Sequence, residues 1–168
     1  MRRLMMVCSA FVMVAGAATA GELPKEGKVN GATYYAAGTW KGIAMGKDAW
    51  INTFDDSGGT VGGGLLDHVA WHCIGAQDGI NGKANSSGRC VGTDQGSDQL
   101  MLRFNSADEQ MPDKNRLVNV VLLGGTGKYL GITGGWTLIV HGGDFKAATG
   151  DNVYMITGTD FTGGWKLP

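Results

Sequence analysis

Two histidines at positions 68 and 72, adjacent carboxylates at 55 and 56, and cysteines at 73 and 90 are the residues of this chain whose types and spacing could do chemistry. Four residues apart on a helix, His68 and His72 would suit a zinc ion. Here Val69, Trp71 and Cys73 alternate with them, which reads as a strand, and four strand residues span about 13 Å at roughly 3.3 Å each. One metal ion cannot take both, so the pair is expected to decorate one face of a sheet, and no metal site is assigned. His141 stands far away in the chain. Asp55 and Asp56 open the run Asp55-Asp56-Ser57-Gly58-Gly59, whose residue types accept local backbone hydrogen bonds and tolerate positive φ, so it reads as a turn. Cys73 and Cys90 belong to no C-x-x-C pair and to no set of three or four thiolates, which points to a disulfide. An oxidised cysteine is no nucleophile, and no serine sits in G-x-S-x-G, so no catalytic residue is assigned. Trp71, Arg103, Trp136 and Tyr154 are of the types that line ligand pockets and are the candidate binding residues.

These side chains must be positioned by strands. Alternating or apolar runs recur between clusters of Gly, Asn, Asp and Ser, and eight strands are expected at 32–45, 48–54, 68–76, 88–93, 99–105, 116–123, 135–141 and 152–161. No window sustains a 3.6-residue apolar period, which leaves room for single helical turns only. An even set of antiparallel strands joined in sequence closes into a barrel and so removes its exposed edges. The fold class expected is therefore all-β, a single eight-stranded antiparallel barrel. Two strands are apolar on both faces: Leu117, Val121 and Leu123 lie opposite Val118, Val120 and Leu122, and the doubling recurs at 136–140. A monomer's wall should alternate, so homo-oligomerisation is expected through these strands.

The run Gly124-Gly125-Thr126-Gly127-Lys128-Tyr129-Leu130-Gly131-Ile132-Thr133-Gly134 is the most specific local pattern. It fails the phosphate-loop spacing, because Leu122 occupies the first glycine position and Tyr129 follows Lys128, and it fails the dinucleotide pattern because Leu130 occupies the third glycine position. No cofactor is expected. Physically it is a glycine turn, an aromatic-anchored turn at Lys128-Tyr129-Leu130 and a glycine-flanked strand entry. The same segment resembles the Gly-Gly-Thr-Gly-Lys-aromatic stretch that precedes a late strand in the allene oxide cyclase and dirigent-like barrels. That resemblance implies an eight-stranded antiparallel barrel, often trimeric, with an apolar pocket at one mouth. It carries no active-site residues over to this chain.

The ends and the charge bound the setting. Arg2 and Arg3, an apolar stretch from Leu4 to Val14 and the small residues through Ala20 have the order of a signal peptide, with cleavage after Ala18-Thr19-Ala20. The expected organisation is a leader over 1–20, a flexible lead-in over 21–31 and the barrel over 32–168, secreted or periplasmic, with no membrane span in the mature chain. A net charge of −1 without any Lys/Arg cluster gives no footprint for nucleic acid. Two functions fit. One is a barrel that binds or sterically steers an apolar small molecule, extending to a cofactor-free cyclase or isomerase. The other is a structural or interaction protein of the cell envelope with a packed interior. The volume of that interior separates them.

Overall fold

A computed structural model describes residues 23–46, 49–81, 83–106, 115–146 and 152–168; the expected leader, with its cleavage site, lies outside them. The chain is all-β, a closed eight-stranded antiparallel barrel with one extra strand. In chain order the strands are β1 (Glu26–Lys28), β2 (Thr33–Ala44), β3 (Ala49–Val61), β4 (Ala70–Ile80), β5 (Lys83–Thr93), β6 (Gln99–Ser106), β7 (Arg116–Gly125), β8 (Thr133–Lys146) and β9 (Asn152–Lys166). Each of β2 to β9 pairs with its neighbour in sequence, and β9 returns to pair with β2, which closes the wall. Helix among the described residues is confined to single 3-10 turns at Gly64–Leu66 and Gly127–Tyr129. No helix among them is long and apolar enough to cross a membrane.

Three expectations are corrected. Within the lead-in expected over 21–31, the described residues 23–31 are not free: β1 pairs with β9 where β2 no longer reaches it, and Val29 is fully buried. Asp55-Asp56-Ser57-Gly58-Gly59 is no turn but the middle of β3, paired on both sides. Ladder hydrogen bonds along both edges outweigh the local preference of those residue types. His68 precedes β4 in a turn at φ 57, so it shares no strand with His72. Between Cys73 and Cys90 the chain reverses at Asn81, at φ 51, since Ile80 pairs with Lys83, and Asp78, Gly79 and residues 85–88 pair within the strands.

Alternation decides which side chains enter the barrel. Even positions point inward on β2, β3, β5 and β6, and odd positions on β4, as the burial along each strand records. On β9 the parity changes: Tyr154 and Ile156 line the interior before Asp160, and Phe161 and Trp165 are buried after it. Thr159 to Thr162 opposes only Ile139 to Thr137, so one extra residue sits in β9, with Asp160 at φ 55. This bulge lets one long strand turn a second apolar set inward.

The glycines keep the interior open. Gly92 stands opposite Trp71 across β4 and β5, and a Cβ built on it would lie 2.5 Å from the indole. Gly88 likewise faces the Phe104 ring, and Gly27 faces Trp165. Each ring lies flat on the wall over a glycine instead of standing in the lumen, a close approach that only a missing side chain permits.

One end of the barrel is closed. Leu65, Leu66 and Val69 from the β3–β4 connection, Tyr129 and Ile132 from the β7–β8 connection, and Val29 before β2 form a buried plug. The glycine-rich segment fastens it. Lys128 pairs with the Asp94 carboxylate, the Tyr129 hydroxyl donates to Asp94 Oδ2 at 2.9 Å, and the Lys128 amide donates to Asp98 Oδ2 at 3.2 Å. Gly127 has φ 50 with the Asp98 carboxylate against it, which leaves no space for a side chain. The segment therefore ties two connections together at the closed end.

Candidate ligand cavity

Above the plug the lumen holds a cavity of about 700 Å³. Its floor is Trp71, Trp136, Phe161, Thr60 and Leu66. Trp71 Nε1 donates to Thr60 Oγ1 at 3.1 Å, and Thr60 in turn donates to the Leu66 carbonyl, so the indole is fixed by its polar end. Trp136 stacks on Phe161 with ring centroids 6.4 Å apart. Trp40, Trp50, Phe54 and Phe104 continue the aromatic wall. Among the described residues the cavity extends to the tip of the β2–β3 hairpin, where Ile43 and Ile51 are both lining and exposed.

Within this apolar wall sits one buried carboxylate. Asp56, 4% exposed, accepts from the Tyr34 hydroxyl at Oδ1, 3.2 Å, and from the Tyr154 hydroxyl at Oδ2, 2.6 Å. Register places them together, since Gly38 of β2 pairs with both Asp56 of β3 and Tyr154 of β9. Burial holds the Asp56 carboxyl above the usual carboxylate range; the two phenol hydrogen bonds oppose this, Asp55 adds to it and His72 opposes it. Burial and the adjacent carboxylate push both phenols well above their ordinary value, so they remain donors. The cluster is two protonated phenols clasping one carboxylate.

Beside it runs the disulfide. Cys73 and Cys90 face each other across β4 and β5 and are bonded, with both sulfurs in the cavity wall. The Tyr34 hydroxyl lies 3.9 Å from Cys73 Sγ. A second polar group lies further along the strands: Asn52 pairs with Gln77 and Gln77 with Ser86. Gln77 Nε2 donates to Ser86 Oγ at 3.5 Å, and the Ser86 amide donates to Ser106 Oγ at 2.9 Å. Asn52 Oδ1 is buried without a hydrogen-bond partner among the described residues.

Of the four candidate binding residues, Trp71, Trp136 and Tyr154 line this cavity. Arg103 does not. It alternates with inward Leu102 and Phe104, lies exposed on the outer wall and pairs with Arg89 and Val121. The histidines are dispersed: His68 Nδ1 is 3.0 Å from Asp67, His72 Nε2 is 2.8 Å from Asp55, and His141 bridges Asn115 at 2.8 Å and Thr159 at 3.1 Å. Tyr34 is absent from the reading from sequence, which assigns Asp56 to a turn. Carrying the alternation of Trp50, Asn52 and Phe54 two residues further would have put Asp56 inside. No protein-family model, no curated protein and no solved structure matches the chain.

Proposed function

We propose that the barrel binds an apolar small molecule in its lumen and holds it in one conformation. The observation that carries this reading is the cavity of about 700 Å³, walled by aromatic rings laid flat over glycines. Pockets that bury small ligands run about 300–1,000 Å³, mostly apolar with a few placed polar groups, and Asp56 with its two phenols is such a group. A purely structural barrel gains nothing from a lumen of this size, and filling it with side chains would add dispersion contacts. The likeness to the allene oxide cyclase and dirigent-like barrels supports the same reading. If the protein turns over its ligand, the rate comes from orientation in the cavity, with no cofactor.

The leader-like start and the disulfide support a secreted or periplasmic setting, and intact mass should then find the mature protein beginning at Gly21. Leu117, Val121 and Leu123, all exposed on the outer face of β7, support association of copies of the barrel.

Native mass spectrometry of protein taken from its own host tests the binding reading. We expect a retained small molecule that is lost from Trp136→Ala while the fold persists. Failure to retain or take up any apolar compound, with Trp136→Ala only less stable by about 3–5 kcal/mol, would return the interior to a packing role.

A further inference from the structure

We infer that the lumen takes a cation: an apolar molecule bearing an ammonium group that seats against Asp56. This rests on the proposal that the lumen binds a small molecule and adds the ligand's charge. An ionised carboxylate has about four acceptor sites and no donor, and the phenols of Tyr34 and Tyr154 occupy one on each oxygen. The sites left over can be met only by a donor. The charges that act on Asp56 are those of Asp55 and His72, which pair with each other on the outer face. Arg116 also lines the lumen but is engaged in an interaction of its own. Among the described residues Asp56 is thus a buried carboxylate held by neutral donors, and a neutral apolar ligand that drove water from the lumen would leave its charge without a counter-ion from them. An ammonium supplies both the donors and the charge.

The walls favour the same ligand. Phe54 stands two residues from Asp56 on the same face of β3 and meets Tyr154 edge-on at 6.4 Å. Trp40 pairs with Phe54 across β2 and β3. The faces of such rings attract a cation within about 6 Å.

The test is calorimetric titration of the full mature chain with three probes of one shape: 4-phenylbutylammonium, 4-phenylbutan-1-ol and 4-phenylbutanoate. The ammonium is expected to bind at least tenfold more tightly than the alcohol, and the carboxylate most weakly. Asp56→Asn should bring the ammonium to within about twofold of the alcohol, while Tyr154→Phe, which keeps the carboxylate, should retain the preference. Equal affinity of alcohol and ammonium for the wild-type protein overturns the inference and leaves the binding reading standing. A preference that survives Asp56→Asn overturns it as well. If none of the probes binds, the binding reading fails and this inference with it. The wild-type comparison decides by itself should the Asn variant not fold.

Discussion

Gly92→Ala should destabilise the barrel only while Trp71 is present. The added Cβ would stand 2.5 Å from the indole, whereas carbon atoms rest at about 3.5–4.0 Å, so the ring must retreat by roughly 1 Å into the lumen. Overpacking of this kind costs about 1–3 kcal/mol. A shift of that size also stretches the 3.1 Å bond from Trp71 Nε1 to Thr60, worth about 1 kcal/mol. Against this, replacing a strand glycine gains roughly 0.5–1 kcal/mol in chain entropy. The expected net loss is about 1–3 kcal/mol. In a Trp71→Leu background no ring lies over position 92, and the same change should be neutral within about 0.5 kcal/mol or slightly stabilising. Urea unfolding of the four proteins of this cycle measures the difference. Equal cost in both backgrounds, or no cost in either, would refute the idea that glycines make room for rings laid on the wall.

Stability should depend on pH with opposite signs at two carboxylates. Burial raises Asp56, so the folded state holds its proton more tightly; its contribution is full below about pH 4 and is lost as pH rises through the folded-state value, a decline that Asp56→Asn should remove in denaturant titrations. For Asp94 burial works upward, but hydrogen bonds from Lys128, Tyr129 and two backbone amides outweigh it; its contribution is present above about pH 4 and lost as pH falls, and Asp94→Asn should flatten that limb. Replacing Cys73 and Cys90 by serine should lower stability by about 3 kcal/mol, given a separation of 17 residues, and the unreduced, unfolded wild type should release no thiol from this pair. Light scattering should find an oligomer that Val121→Lys with Leu123→Lys returns to monomer, because exposed apolar area costs about 25 cal/mol per Å²; a wild-type monomer at every concentration would contradict this.

The closed barrel was legible because period-two alternation survives in most strands, and because closure is the simplest way to satisfy the edges of an even antiparallel set. Strand ends were less legible. The run 55–59 looks like a turn when judged by Asp, Ser and Gly alone, yet Asp55 and Ser57 face solvent, Asp56 faces the lumen, and Gly58 lies against Ala36 of the neighbouring strand. Glycine within a strand reads as punctuation, whereas at positions 88 and 92 it is the floor for an aromatic ring on the directly paired strand. Trp71, Trp136 and Tyr154 lie in the cavity wall, where large aromatics concentrate. Arg103 has the residue type of a binding group, but its alternation with Leu102 and Phe104 turns it to the outer wall. The Asp56 cluster needs the register of β2, β3 and β9, a long-range pairing that no local window contains.

The five tryptophans provide the most direct test that the lumen is a binding cavity. Trp40, Trp50, Trp71 and Trp136 line it, whereas Trp165 is buried outside the lining, over Gly27. Indole ¹H–¹⁵N spectra recorded while 4-phenylbutan-1-ol is added should show the four lining resonances shifting together and saturably while the Trp165 resonance stays in place. Unmoved indoles at millimolar probe, or a Trp165 shift equal to the others, would contradict a ligand held in the lumen.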